Sequence, residues 1–291
     1  MLPNFLIIGG TGFIGERVLH ALSEDELQSS LVLHASPIPH AHIASPPSYK
    51  QTDLRADDPH RAQWMDGIER VIILSQPSEA VANNIVKMLD AAPRLRSILY
   101  VSSILLYPDS PVPQTEDAAP DPQSPYEAGK HREELLFGAY AAGKNISLCI
   151  ARLSNVYGGS KSSGIISKMF HALEKNTTIQ IHGDGTQERD YIFVDDIALA
   201  LAHLLRQGRQ HEKEIFNICT GHGSSLNEIT TAIEEITGRK LMRTYEGSAQ
   251  DKRCVVGDNM KIRTALPLFD PISLHNGLRK TYARFHEMDT R

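Results

Sequence analysis

Residues 4–22, Asn-Phe-Leu-Ile-Ile-Gly-Gly-Thr-Gly-Phe-Ile-Gly-Glu-Arg-Val-Leu-His-Ala-Leu, constrain the fold more than any other stretch of the chain. An apolar run, Phe5 to Ile8, leads straight into three spaced glycines, Gly9, Gly12 and Gly15, and apolar residues then recur at helical spacing in Ile14, Val18, Leu19 and Leu22. The pattern predicts strand, tight turn, helix. Glycine permits the turn's backbone angles and lets a pyrophosphate approach the main chain, while the helix N-terminus offers free N–H groups and positive potential to the anion. The stretch points to a dinucleotide, although a glycine-rich turn that binds nothing would show the same motif, so the rest of the chain has to decide.

Downstream, strands and helices alternate. Ser30 to His34 reads as a second strand, Val71 to Leu74 as a continuous apolar strand buried on both faces, residues 79–91 as a helix, and Ser97 to Ser103 as a strand ending in two hydroxyls. Alternation of this kind predicts an α/β fold with a doubly wound parallel sheet, whose ligands lie beyond the carboxyl ends of the strands. Ser102 and Ser103 are thereby placed at the ligand edge. Residues 108–125 carry six prolines and form a long surface loop. It ends at Ser124-Pro125-Tyr126-Glu127, where Ser124 caps a helix, Pro125 suits its first position and Glu127 completes a capping box. Tyr126 and Lys130, four apart, share a face of that helix. Ala128, Leu135, Leu136 and Ala139 give it an apolar stripe of the kind that usually faces a core. Later pieces are a strand at Glu214 to Ile218, a helix at Ser225 to Thr237, a segment with Val255-Val256-Gly257-Asp258, and a last helix from Ser273 to Phe285.

With 291 residues the chain can hold a dinucleotide domain and a smaller lobe. The expected division assigns 1–158 and 183–212 to the first, and 159–182 and 213–291 to a smaller α/β substrate-binding lobe. A net charge of −5 makes no electrostatic case for nucleic acid. No stretch has the roughly 20 apolar residues of a membrane span, and no basic-then-apolar leader opens the chain, so the expectation is a cytoplasmic protein. Cys149, Cys219 and Cys254, odd in number and far apart, read as reduced thiols. His34, His40 and His42 have no carboxylate or cysteine beside them and read as a solvated, proline-rich loop, so no metal is expected. The end of the second strand is where an acidic residue would bind the adenosine ribose. It continues Ala-Ser-Pro-Ile-Pro-His-Ala-His, with Arg17 as a nearby candidate cation, so the cofactor is NAD or NADP.

Gly9-Gly-Thr-Gly-Phe-Ile-Gly15, Ser103 four before Tyr107, and Tyr126-Glu-Ala-Gly-Lys130 together resemble the extended short-chain dehydrogenase/reductase family, the nucleotide-sugar epimerase and dehydratase group. The likeness continues through Arg152-Leu-Ser-Asn155-Val-Tyr157-Gly158, Gly183 to Asp196, Asn217-Ile-Cys-Thr-Gly221 and Ser225-Leu-Asn-Glu228, covering nearly the whole chain. It implies a Rossmann domain in which Gly9, Thr11, Gly12, Phe13, Ile14 and Gly15 cradle the cofactor and Asp53 and Leu54 border its adenine. It implies Asn155 and Arg189 at the phosphates of a nucleotide sugar, Ser103 as hydrogen-bond donor to the substrate oxygen, and a homodimer through the helix at 79–91 and the Tyr126 helix. For Arg189 the alternative is an ion pair with Asp190 or Asp195.

The chemistry follows from the residues. Oxidising a secondary alcohol requires a base for its proton, and a phenol with a pKa near 10 needs its charged form stabilised. Lys130 on the same face, with the positive charge of an oxidised nicotinamide, does this for Tyr126, and the resemblance adds a role for Lys130 as ligand of the cofactor ribose. Two departures from the family narrow the reaction. Ile104-Leu105 stand where 4,6-dehydratases carry Asp-Glu, which disfavours dehydration. Gly247 to Asp251 lacks the family's late phosphate-binding arginine, for which Arg243 or Arg253 could substitute. The leading expectation is therefore a nucleotide-sugar 4-epimerase with Tyr126 as acid/base. The alternatives are an NADPH-dependent reductase of a keto-sugar or other small carbonyl and, from another class, a cofactor-sensing module without turnover.

Overall fold

A computed structural model of the chain describes residues 4–35, 46–207, 213–247 and 252–289. Two compact units divide it: Met1–Leu106 with Pro122–Arg152 and Ala198–Phe216, and Tyr107–Asp121 with Leu153–Ile197 and Asn217–Arg291. Relative to the boundaries expected from the sequence, residues 107–121, 153–158 and 183–197 lie with the second unit and 213–216 with the first. Hydrogen bonding explains two of these placements. The segment 155–157 pairs with 191–193 as neighbouring strands, and Asn217 ties down the 107–121 loop by donating from Nδ2 to the Gln114 carbonyl and from its N–H to Glu116.

In the first unit, β1 (Phe5–Ile8), α1 (Phe13–Ala21), α2 (Glu24–Gln28), β2 (Ser30–His34), β3 (Ser48–Gln51), β4 (Arg70–Ile73), α3 (Glu79–Leu89), β5 (Ser97–Ser103), α4 (Pro125–Lys144) and β6 (Ser147–Leu153) follow one another. The second unit contains β7 (Asn155–Tyr157), α5 (Ile165–Lys175), β8 (Ile179–His182) and β9 (Glu188–Phe193), after which α6 (Val194–Gln207) and β10 (Lys213–Ile218) belong partly to each unit. The second unit continues with β11 (Gly223–Ser225), α7 (Leu226–Thr237), β12 (Arg243–Glu246), β13 (Cys254–Val255), α8 (Met260–Ala265) and α9 (Leu274–Asp289).

The large sheet has the order β10-β6-β5-β4-β1-β2-β3 and pairs in parallel from β5 to β3. The doubly wound fold expected from the sequence is thus present, with the strand order reversing on either side of β1, the place where such sheets bind ligands. β1, β2 and β5 are buried at every residue, because helices cover both faces of a parallel sheet. Their core includes Leu6, Ile8, Val71, Ile73, Ile98 and Tyr100, packed with Ile85 and Met88 of α3 and Phe137 of α4. In the second unit β9 is flanked by β11 and β13 and also pairs with β7, while β8 pairs with β12. Its core gathers Phe170, Ile181, Phe193, Ile229, Leu278 and Phe285.

Helix α4 starts as the sequence predicts, with Ser124 Oγ accepting from the Glu127 N–H at 3.2 Å and Pro125 in the first turn. The capping box is only half formed, because Glu127 reaches one residue further back and accepts from the Gln123 N–H at 2.7 Å. Only part of the apolar stripe expected to face the core does so: Leu136 packs against it and Ala128 is half-buried. Leu135 is 57 % exposed and Ala139 is exposed, whereas Lys130, Glu133, Glu134 and Phe137 are buried. Charged residues occupy this inner face because each finds a partner there. Among the described residues no helix is long and apolar enough to cross a membrane.

Candidate active site

The β1–α1 turn closes on itself. Gly9 adopts φ +82°, its carbonyl accepts from the Gly12 N–H at 3.0 Å, and a Cβ on Gly15 would fall 2.3 Å from that same carbonyl oxygen and 2.6 Å from Gly10 Cα. Helix α1 follows Gly12 as its cap with no side-chain cap bond, so no side chain at the cap satisfies the first N–H groups beside Thr11, Phe13 and Ile14. A tight backbone cradle ahead of an uncapped helix fits a dinucleotide pyrophosphate. Gly15→Ala is expected to force the turn open, weaken NAD binding by at least about tenfold and remove the NAD-induced rise in melting temperature, which calorimetry and thermal unfolding would read.

Residues 53–55 form a second corner of this unit. Asp53 pairs with Arg55 through Oδ1 to Nε and Oδ2 to Nη2, both 2.9 Å, and this guanidinium holds its carboxyl down at about 2. The Leu54 carbonyl accepts from Asn84 Nδ2 of α3 at 3.0 Å, and its side chain packs on the core. Asp53 and Leu54, the residues expected at the adenine border, thus sit on a fixed corner. His34, read as part of a solvated loop, is instead buried at the end of β2 with its ring edge-on to Tyr49. Residues 36–42, where the ribose-selecting residue was sought and where His40 and His42 stand, lie outside the described residues, as does the 248–251 part of the segment lacking the late arginine.

Ser103 and Tyr126 meet at the carboxyl end of β5, and Lys130, one turn further along α4, is anchored on the carbonyls of Ser75 and Val101. Tyr126 is 38 % exposed, and the Ser103 hydroxyl hydrogen-bonds to its phenol. Lys130 is buried and donates to the Ser75 carbonyl at 3.0 Å and the Val101 carbonyl at 2.9 Å, with Nζ 5.0 Å from the centre of the Tyr100 ring. Burial lowers its pKa to about 8, against the pull of Glu133 and Glu134. Burial also raises the Tyr126 phenol above its ordinary value; the Ser103 bond opposes this and Glu133 and Glu127 add to it. Stabilising the phenolate therefore takes positive charge, which the expectation from the sequence draws from Lys130 together with an oxidised nicotinamide. Ser102, expected at the same edge, is buried with its Oγ unpartnered among the described residues.

Two partners were missed in the sequence. Glu133 Oε2 accepts from the Tyr100 hydroxyl at 2.6 Å, and Glu134 grips Arg152 through two bonds of 3.0 and 2.7 Å. Their spacing from Lys130, three and four residues on, was the available signal.

Asn155 and Arg189 lie in the second unit on the paired strands β7 and β9. Neither ion pair offered as the alternative for Arg189 is formed among the described residues. Asp190 accepts from Thr220 and the Gly221 N–H, and Asp195 pairs with Arg284. Arg189 Nη1 instead donates to the Glu188 carbonyl at 2.8 Å and the Arg253 carbonyl at 3.4 Å. All three cysteines are free thiols.

Comparison with known proteins bears on family and fold. The family model for NAD dependent epimerases and dehydratases matches residues 5–219. A UDP-glucuronate 4-epimerase of Thermodesulfobacterium geofontis is 30% identical over 64% of this chain and 58% of its own length. A UDP-glucose 4-epimerase of Mycolicibacterium smegmatis is 29% identical over 72% of this chain and 70% of its own. In fold, the chain matches the solved structure of MoeE5 in complex with UDP-glucuronic acid and NAD at a TM-score of 0.88, with 24% identity, 98% of this chain and 99% of that one covered.

Proposed function

This chain belongs to the NAD dependent epimerase/dehydratase family, and from that premise we propose that it is a nucleotide-sugar 4-epimerase in which Tyr126 moves the proton of the sugar hydroxyl. The observation that carries the reading is the meeting of Ser103, Tyr126 and Lys130 at the strand edge beside the glycine cradle. Gly9, Thr11, Gly12, Phe13, Ile14 and Gly15 hold the pyrophosphate of the cofactor, and Asp53 and Leu54 border its adenine. Bound NAD supplies the chemistry of accepting hydride from a sugar carbon and returning it.

Tyr126 takes the hydroxyl proton and gives it back, and Ser103 donates to the same sugar oxygen. Lys130 supplies positive charge beside the phenol and binds the cofactor ribose. Bringing a phenol's pKa down by about two units takes roughly 2.7 kcal/mol, which nearby cations reach in a partly desolvated site. Asn155 and the Nε/Nη2 fork of Arg189 take the phosphates of the substrate, a geometry suited to two parallel bonds. Buried Ile104 and its neighbour Leu105 put no carboxylate beside Ser103, which supports epimerisation over loss of water. Exposed Leu135 and Ala139 on α4 support a homodimer across that helix and α3.

A second reading, an NADP-dependent reductase of a keto-sugar, is supported by the carboxylate-free sequence after β2. Incubation with NAD and either UDP-glucose or UDP-glucuronate, followed by proton NMR of the anomeric signals, is expected to show the 4-epimer with no net change in nicotinamide absorbance. Consumption of NADPH by a keto-sugar without epimer formation would select the reductase, and neither result would overturn both.

A further inference from the structure

We propose that Glu133 is a positioning residue for the reaction, a buried carboxylate that fastens Tyr100 and the 75–78 segment to α4 beside Lys130 and Tyr126. The proposal rests on the reading of Tyr126 as acid/base.

Glu133 lies about one turn beyond Lys130 on the inner face of α4 and is 4 % exposed. Both of its oxygens are engaged: Oε1 accepts from the Ser78 N–H at 2.7 Å and Oε2 from the Tyr100 hydroxyl at 2.6 Å. Lys130 touches the same 75–78 segment and the same tyrosine. Lys130 bonds to the Ser75 carbonyl at the start of the same segment and sits 5.0 Å over the ring of the same tyrosine. One residue before Lys130 the helix comes so close to this segment that a Cβ on Gly129 would fall 2.8 Å from Pro77 Cβ. Lys130 and Glu133 of α4 therefore bond to one four-residue segment that leaves the carboxyl end of β4, and Gly129 lies close against it.

A carboxylate this buried is costly unless it is bonded and balanced by positive charge. The ionisable groups around it are Tyr126, Glu127, Lys130 and Glu134 on α4, Tyr100 on β5 and Arg152 on β6, with Glu79 of α3 and Arg132 of α4 lining the same groove. Glu134 is matched by Arg152 through two bonds. Glu133 is held instead by the Ser78 N–H and the Tyr100 hydroxyl, neither of them charged, and its charge acts on Lys130 and Tyr126. Removing that charge lets burial dominate at Lys130, which then releases its proton at lower pH. At Tyr126 the same removal takes away a repulsion, so its proton also leaves at lower pH. Both limbs of the pH profile move in the same direction, whereas a loss of packing alone would lower the rate without moving either.

The test is an NMR titration of the purified full chain with isotope-labelled lysine, the Lys130 side-chain signal assigned by Lys130→Arg. In the native chain Lys130 is expected to titrate at about 8. In Glu133→Gln it should titrate about one pH unit lower, and Glu133→Asp should recover most of the difference. An unchanged Lys130 titration in folded Glu133→Gln would overturn the proposal. Should that variant fail to fold, Tyr100→Phe removes only the hydroxyl and is expected to lower kcat several-fold with KM for the sugar substrate unchanged; a kcat equal to that of the native chain would overturn the fastening. The titration needs no substrate, so failure of the acid/base reading, seen as turnover by Tyr126→Phe, is distinguishable from failure of this one.

Discussion

Tyr126→Phe is expected to lower the rate of sugar interconversion by about a thousandfold, roughly 4 kcal/mol of barrier, while leaving NAD affinity and melting temperature close to those of the native chain. The substitution removes one oxygen from a residue whose side chain is partly exposed and whose phenol has the Ser103 hydroxyl as its hydrogen-bond partner. Nothing in the core depends on that oxygen. The rate does, because the phenol is the group that can receive the substrate proton. Lys130 makes a poorer probe of the same chemistry: it also holds the Ser75 and Val101 carbonyls, so its removal would leave two buried acceptors unpaired and mix structural loss with electrostatic loss. Ser103→Ala should give a smaller drop, about tenfold, since it removes a hydrogen bond to the reacting oxygen rather than the proton acceptor. Epimerisation by Tyr126→Phe within tenfold of the native rate would remove the phenol from the mechanism.

The sheet was legible in the sequence because parallel strands covered on both faces must be continuous apolar runs. Phe5 to Ile8, Ser30 to His34 and Ser97 to Ser103 are the bounds of β1, β2 and β5 as found. Helix starts were legible where capping is local, as at Ser124 and Ser225, although Glu127 chose the N–H of Gln123 over that of the cap. The inner face of α4 was not legible. Periodicity puts Tyr126, Lys130, Glu133 and Phe137 along one side, but a charged residue in a helix reads as solvated unless its partner is known. Tyr100 and Arg152 are 33 and 18 residues away from the carboxylates they meet. Arg189 shows the same limit, since its partners are main-chain carbonyls that no residue type announces. Strand order placed Ser103 at the ligand edge, and the resemblance to the family is what joined Tyr126 and Lys130 to it.

Arg152→Ala is expected to destabilise the chain by about 3–5 kcal/mol, the range for breaking one side of a buried ion pair, and to lower the melting temperature by about 5–10 °C. The Arg152 and Glu134 side chains are only 2% and 3% exposed and are joined by two parallel bonds. Removing the guanidinium leaves a carboxylate in the core with no water to replace the lost donors, and it must either stay charged at high cost or take up a proton. The protonation route gives the prediction a sign in pH. In Arg152→Ala the carboxyl at 134 binds its proton more tightly in the folded than in the unfolded chain, so the deficit should shrink as pH falls toward the ordinary carboxylate range and grow above it. Replacing both partners, as Arg152→Met with Glu134→Leu, removes the charges together and should recover most of the lost stability. Urea unfolding of the native chain and the two variants across pH separates the cases: equal stability of the single and double variants would mean that the pair, though buried, does not hold α4 to β6.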